Sequence, residues 1–121
     1  MKKILYVDMD NVLVNFQSGI DRLSEEVRFE FEGRFDEVPG IFGLMDPIDG
    51  AIEAYEKLSL KYDTYILSTS PWGNDTAASD KVRCLTYFIE TVLSTSCPNH
   101  TTAKPLYNPT PIAFHSCDQI F

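Results

Sequence analysis

The sequence predicts an α/β fold with a doubly wound, Rossmann-like parallel sheet, and three observations support that prediction. Ile4 to Val7 and Tyr65 to Leu67 are two short, continuously apolar runs, which are typical of strands buried on both faces. Helical periodicity separates the two runs, and a further helical pattern follows the second. Such alternation begins a doubly wound sheet, which binds its ligands at the carboxyl ends of its strands.

Three helical segments are predicted from the spacing of apolar residues. The second runs from a cap at Asp49 to about Tyr62, and the third runs from a cap at Ser79 or Asp80 to about Leu93. Turn-forming residues make 29–50 irregular. The apolar stripes are Val12, Phe16, Ile20, Leu23 and Val27 in the first helix, Ile52, Tyr55 and Leu58 in the second, and Val82, Leu85, Phe88, Ile89 and Val92 in the third.

Composition and charge limit the classes of partner. The chain has 121 residues, one domain's worth, and a net charge of −8, which argues against a nucleic-acid polymer or an anionic membrane surface. The apolar run after Met1 is shorter than a secretory core, and no run reaches the length of a membrane span. The three cysteines are too few for a disulfide framework, so a cytoplasmic protein with free thiols is expected.

The last 28 residues differ from the rest of the chain. Only Lys104 and Asp118 are charged there, and four of the seven prolines and both histidines fall in this segment. With no helical period and no convincing strand pair, residues 94–121 are predicted to be an irregular tail after a core of residues 1–93. Two cysteines and two histidines of this tail form a conceivable zinc set, although their spacing does not fit the common patterns: Cys97, His100, His115 and Cys117.

Asp8 and Asp10 follow the first strand and are separated by one residue. A solvated turn is the ordinary explanation for such a pair, but the buried strand before it and Val12-Leu13 after it favour a functional one. Two carboxylates this close repel each other, and a divalent cation removes that penalty. Mg²⁺ takes oxygen ligands and leaves room for a substrate phosphate. One carboxylate can attack phosphorus while the other transfers protons.

Several motifs in order resemble the haloacid dehalogenase superfamily, specifically its 5′(3′)-deoxyribonucleotidase branch. The segment Asp8-Met-Asp10-Asn-Val-Leu-Val-Asn-Phe16 is similar to the superfamily's first motif. Pro39-Gly-Ile-Phe42 and Pro47 to Ala54 resemble the passage from cap to core, and Tyr65 to Asn74 with Ser79 to Val82 resembles the second motif and the helix after it. The resemblance covers residues 3 to about 83 and implies a small helical cap inserted at about 15–48.

The resemblance implies roles for individual residues. Asp8 would be the nucleophile, and Asp10 would be the general acid and base and would also contribute to a Mg²⁺ site, through its backbone carbonyl. Thr69 and Ser70 would bind the transferred phosphoryl group. Lys81 matches a lysine that faces the phosphate, against the alternative of a solvated lysine in the first turn of a helix.

Three aromatic residues have both a functional and an ordinary interpretation. The resemblance places Phe16 and Phe42 in the lining of the nucleoside pocket, where an aromatic face could stack on a base. Plain core packing is an equally good explanation for both. Trp72 would either flank the pocket or cover a loop.

The resemblance ends near Arg83. The branch continues with a basic residue and a strand ending in paired aspartates, and neither follows here. We therefore hypothesise that the segment from about Cys84 onward is not the family's native ending and comes from a frameshift or another abnormal reading of the gene, which the other reading frames would test. Missing strands would leave a sheet edge and an apolar face uncovered. Weak Mg²⁺ binding, low activity and marginal stability are the expected consequences.

The function expected from the resemblance is hydrolysis of deoxyribonucleoside monophosphates by a Mg²⁺-dependent phosphatase. The alternatives are a general small-molecule phosphatase of the same superfamily and a non-catalytic remnant that keeps the fold. A small nucleotide is the expected partner. Base preference, 5′ or 3′ preference and oligomeric state are open, with a homodimer as one candidate assembly.

Overall fold

The structure, a computed structural model, describes residues 1–95 and 112–116. The strands are β1 (Ile4–Asp8), β2 (Val14–Asn15), β3 (Asp46–Pro47), β4 (Asp63–Ser70) and β5 (Ile112–Ser116). The helices are α1 (Phe16–Asp21), α2 (Glu25–Glu30), α3 (Ala51–Ser59) and α4 (Ala77–Thr95), and two short 3₁₀ helices occupy Phe35–Glu37 and Ile41–Gly43. No helix within these ranges is both long enough and apolar enough to span a membrane.

The main sheet has three parallel strands in the order β1-β4-β5. Asp8 at the end of β1 lies opposite Leu67, so β4 continues three residues further along the same edge. This register places the end of β4, including Thr69 and Ser70, beside the loop that follows Asp8. The α/β class with a parallel sheet, and the position of its carboxyl edge, are therefore as the sequence predicted.

The helices of the main sheet lie together on one of its faces. The strand order runs in one direction, and right-handed crossovers then place α3 and α4 on the same side, where they contact each other. The described residues thus form a singly wound arrangement and lack the second helical layer of the doubly wound sheet that was predicted. The face of the observed sheet that carries no helix exposes apolar side chains. The exposed fractions are 59% for Ile4, 61% for Tyr6 and 37% for Leu67.

β1 shows why the predicted burial on both faces was wrong. Its residues alternate between exposed and half-buried, because only Leu5 and Val7 face the helices. A continuous apolar run has the same appearance whether or not a second layer covers it. The uncovered face expected from missing strands is confirmed within the described ranges.

The core lies between the sheet, the two long helices and the segment that connects β2 to β3. Its buried members come from every one of these elements: Met9, Leu13, Val14, Val38, Ile41, Phe42, Met45, Ile52, Tyr55, Ile66, Ala77, Cys84, Leu85 and Ile89. The connecting segment therefore contributes to the same core as the sheet.

The β2 and β3 strands form an antiparallel pair that closes the segment of residues 16–45 at its base. Ser18 Oγ accepts from Asp46 N at 2.8 Å, and the Arg22 guanidinium binds both carboxylate oxygens of Asp46 at 2.8 and 2.9 Å. The predicted continuous first helix is instead a turn, a strand and two short helices. Asn15 caps α1 and Ser24 caps α2, so each helix begins at a polar residue within the apolar period.

The two long helices begin elsewhere than predicted. α3 starts after Gly50, which has a φ of 76° and makes no side-chain cap, so Asp49 does not cap it. Leu58 is 38% exposed rather than inward-facing. α4 starts at Ala77, whose N–H donates to Asn74 O at 3.2 Å, two residues before the predicted cap at Ser79.

The strand β5 was not predicted. It lies within the segment taken to be irregular and pairs with β4 from Ile66 opposite Ile112 to Ser70 opposite Ser116. The rest of the predicted tail, beyond Thr95 and on either side of β5, lies outside the described residues. The division into a core and a tail remains a prediction.

Candidate active site

The loop after β1 is wound tightly around a buried residue. Met9 is fully buried, and its carbonyl accepts from the N–H groups of Val12, Leu13 and Val14 at 2.9 to 3.3 Å. Asn11 takes a left-handed conformation with a φ of 59°, which asparagine tolerates better than most residues. Asp8 is exposed at the sheet edge, and its Oδ1 accepts from Met9 N at 2.8 Å. These hydrogen bonds fix the buried Met9, and with it the positions of Asp8 and Asp10 on either side.

Lys81 projects from the first turns of α4 into this region and is only 1% exposed. Its ammonium donates to Asp10 Oδ2 at 2.6 Å, to Ser68 Oγ at 3.0 Å and to the Thr69 carbonyl at 2.6 Å. All three donors of the ammonium are therefore used. The solvated alternative for Lys81 is wrong, because a buried ammonium requires such partners and has them here.

Asp10 is half-buried, and its two carboxylate oxygens differ. Oδ2 binds Lys81, whereas Oδ1 is buried and has no hydrogen-bond partner among the described residues. An unsatisfied buried carboxylate oxygen is costly and indicates a position where a proton, a cation or a polar ligand group would be stabilised. Asp10 and Lys81 thus tie the loop after β1 to α4 and to the end of β4.

The end of β4 contributes Ser68, Thr69 and Ser70. Ser68 is 3% exposed and holds Lys81 through its hydroxyl, a contact that the sequence analysis did not anticipate. Ser68 follows Ile66 by two residues and therefore lies on the same buried face of β4, which was the signal in the sequence that its hydroxyl is buried. Thr69 and Ser70 are half-buried at the edge of the sheet, where they were predicted to meet phosphate.

Two of the aromatic candidates form a stack above this cluster. The rings of Phe16 and Phe42 are 5.5 Å apart at an interplanar angle of 26°, and Lys81 Nζ lies 4.3 Å from the centre of the Phe42 ring. Phe42 is 4% exposed and belongs to the core, while Phe16 is half-buried beside it. Core packing therefore describes Phe42, and the partly buried Phe16 packs against the same core. Trp72 is 73% exposed and covers no loop.

A buried asparagine fixes the segment that carries Phe42 against the start of α4. Asn74 Nδ2 donates to the carbonyls of Asp36 at 3.0 Å and Val38 at 2.9 Å, and Asn74 Oδ1 accepts from the Thr76 N–H at 3.1 Å. Thr76 Oγ1 in turn accepts from Gly40 N at 3.0 Å. The resemblance places Asn74 only at the end of the second motif, and no local pattern identifies partners 36 and 38 residues away.

Cys84 lies one turn after Lys81 and is buried beside acidic groups. Burial, together with the negative charges of Asp10, Asp46 and Asp80, raises the pKa of its thiol from 9.0 to about 12. The thiol therefore stays protonated at neutral pH and is a poor nucleophile. Its Sγ lies 3.9 Å from the Met45 carbonyl, which makes it part of the packing between α4 and the connecting segment.

The donor set for a metal ion is small. No cluster of three or more His, Cys, Asp or Glu side chains able to hold a metal occurs within residues 1–95 and 112–116. Asp8 and Asp10 place oxygen donors at one edge, and a small set of this kind fits Mg²⁺, which also uses substrate phosphate and water as ligands. The unpartnered Oδ1 of Asp10 shows that this edge has room for a further polar group or a proton. The four residues of the conceivable zinc set fall where side chains are not described.

Sequence comparisons relate part of this chain to a known protein. No family model matches the sequence. A protein of Vibrio phage KVP40 named "Putative 5'(3')-deoxyribonucleotidase" is 58% identical over 80 residues. The match covers 66% of this chain and 47% of the phage protein, so the chain spans about half the length of this curated relative. The similarity supports a relationship to a nucleotidase family.

Proposed function

We propose that this chain is a phosphomonoester hydrolase of the haloacid dehalogenase type whose substrate is a deoxyribonucleoside monophosphate. The observation that carries the proposal is the convergence of Asp8, Asp10 and the end of β4 at one sheet edge, with Lys81 buried among them. The similarity to the phage protein supports the substrate class.

In the proposed reaction, a carboxylate oxygen of Asp8 attacks phosphorus and the bond to the leaving nucleoside oxygen breaks. Asp10 gives a proton to that oxygen, and its Oδ1 is the atom free to carry it because Oδ2 is held by Lys81. Water then attacks the aspartyl-phosphate, with Asp10 taking back a proton, and releases phosphate. The hydroxyls of Thr69 and Ser70 would orient the phosphoryl oxygens.

Asp8, and Asp10 through its backbone carbonyl, would hold Mg²⁺ in this proposal. The ion would neutralise charge on the phosphoryl oxygens during transfer. Two protein donors are a small set for this task, so Mg²⁺ binding should be weak and turnover slow.

The substrate class is tested by measuring phosphate release from dUMP, dTMP and an aryl phosphate at several Mg²⁺ concentrations. A deoxyribonucleotidase hydrolyses the two nucleotides faster than the aryl phosphate, and a general phosphatase shows no such preference. Robust hydrolysis at low Mg²⁺ would contradict the expected weakness of the metal site. The absence of Mg²⁺-dependent release with all three substrates would favour a non-catalytic protein.

A further inference from the structure

Two side chains just before α4, Asn74 and Thr76, bind the backbone of the segment that connects β2 to β3. The Asn74 amide donates to the carbonyls of Asp36 and Val38. The Gly40 N–H donates to Thr76 Oγ1 at 3.0 Å. Thr76 Oγ1 in turn donates to Asn74 Oδ1 at 2.9 Å, so the two side chains act as one connected unit. Asn74 is 4% exposed, and water therefore competes little for its hydrogen bonds.

The backbone that these side chains hold leads directly to the aromatic stack. Gly40 immediately precedes the 3₁₀ helix Ile41–Gly43, which contains Phe42. Its φ of 82° lets the chain turn into that helix directly after the contact with Thr76. The Phe42 ring stacks on the half-buried Phe16 ring, and we call this pair the aromatic wall. Thr76 therefore fixes the chain two residues before the wall.

The aromatic wall adjoins the proposed phosphate site. Lys81 Nζ donates to the Thr69 carbonyl and lies 4.3 Å from the centre of the Phe42 ring. The other ring is tied to the loop after β1, because Phe16 N donates to Asn11 Oδ1 at 3.2 Å. A ligand held at the end of β4 would therefore have the wall close by, at a distance that depends on how the connecting segment is attached to α4.

We propose that Asn74 and Thr76 are positioning residues for substrate specificity, which hold the aromatic wall at the distance from the phosphate site that a deoxynucleoside base requires. This role rests on the proposed function and adds to it the residues that select the nucleoside. Stacking on an aromatic ring favours a base most when the ring is already held in place, because ordering a loose segment would offset part of the gain. A short alkyl phosphate has no base and gains nothing from the wall.

A purely structural role for the two residues predicts a different result. Loss of folded protein would lower the rates with every substrate by the same factor. A displaced wall would lower the rate only with a substrate that carries a base, and mainly by raising its KM, because the groups that react with phosphorus are unchanged. The comparison of two substrates therefore separates positioning from stability.

Thr76 offers the sharpest test, because it is exposed and its hydroxyl can be removed with little change of shape. In Thr76→Val, the ratio of kcat/KM for dTMP to kcat/KM for propyl phosphate should fall about fivefold or more, as expected for loss of base stacking. Thr76→Ser keeps the hydroxyl and should keep the ratio of the parent. Ser79→Ala removes an exposed hydroxyl three residues later and is the matched control.

Hydrogen exchange measures the same contact without catalysis. The Gly40 amide should lose protection in Thr76→Val but not in Thr76→Ser, while the amides of β4 exchange as in the parent. Asn74→Ala should lower the substrate ratio as well. The Thr76 variants decide the question even where Asn74→Ala does not fold.

Three results would overturn the proposed role. An unchanged substrate ratio in Thr76→Val, with both esters still hydrolysed, would show that the wall does not select the nucleoside and would leave the proposed function standing. Equal losses with dTMP and propyl phosphate would assign the two residues a structural role only. If the parent hydrolysed neither ester, the proposed function would fail and the specificity role with it, whatever the exchange of Gly40 showed.

Discussion

At the scale of single residues, Lys81 links the loop after β1 to α4 and to the end of β4. The resemblance placed it in the site, facing phosphate, but could not reveal that Asp10, Ser68 and Thr69 take up its three donors. Lys81 is buried because the fold brings it against Asp10, which lies 71 positions earlier in the chain. Lys81 therefore holds Asp10 in place, whatever contact it makes with a ligand.

Replacing Lys81 with methionine should lower the free energy of unfolding by about 3 kcal/mol, because it leaves the half-buried Asp10 carboxylate without its counter-charge. Urea denaturation at neutral pH measures the change. Lys57→Met on the exposed surface of α3 is the control and should alter stability by less than about 0.5 kcal/mol. Adding Asp10→Asn to Lys81→Met should recover part of the loss. Equal stability of the Lys81→Met and Lys57→Met chains would show that the ion pair is not formed.

Cys84 gives a prediction about pH. Its thiol has a pKa of about 12 in the folded chain and about 9 when unfolded, so between these values the unfolded chain releases a proton that the folded chain keeps. Stability is unaffected by this group below pH 9 and falls as the pH rises from 9 to 12. Urea denaturation across that range should show a steeper decline in the parent than in Cys84→Ala. Parallel declines would place the thiol in contact with solvent.

At the scale of elements, the connection between α4 and the segment of residues 16–45 depends on Asn74. This segment carries Phe16 and Phe42, and the carbonyls of Asp36 and Val38 accept from the Asn74 amide. The contact fixes the aromatic stack relative to Lys81. A deoxynucleoside pocket at Phe16 would therefore rely on a residue remote from it in sequence.

Asn74→Ala should destabilise the chain by about 2 kcal/mol, because it leaves the buried Val38 carbonyl unsatisfied and removes a second bond to Asp36. Asp75→Ala changes the exposed neighbour and should cost less than about 0.5 kcal/mol. Thermal denaturation of the two variants provides the comparison. A smaller loss for Asn74→Ala than for Asp75→Ala would contradict the network.

Some elements could be predicted from the sequence and others could not. Apolar runs correctly indicated β1 and β4, and turn residues before Ala51 correctly indicated a helix boundary. The same patterns could not show that one face of β1 is bare, since burial depends on elements elsewhere in the chain. β5 was missed because a short strand in a proline-rich segment is defined by its partner β4 and not by its own periodicity.

At the scale of the whole molecule, the described residues form the predicted parallel sheet without the second helical layer of a doubly wound fold. Three parallel strands carry helices on one face, with Asp8 and Asp10 at the carboxyl edge and apolar side chains on the opposite face. The proposed site brings together the carboxylates of Asp8 and Asp10 and the hydroxyls of Thr69 and Ser70, and it offers few carboxylates for a metal. A chain built this way should catalyse slowly.

The central claim is that Asp8 performs phosphoryl transfer, and the most direct test is Mg²⁺-dependent phosphate release from dTMP by the parent and by Asp8→Asn. The parent should release phosphate slowly, and Asp8→Asn should release none above background, because an amide oxygen cannot form the aspartyl-phosphate. Asp75→Asn, which alters an exposed aspartate after β4, should match the parent. Undiminished release by Asp8→Asn would contradict the claim.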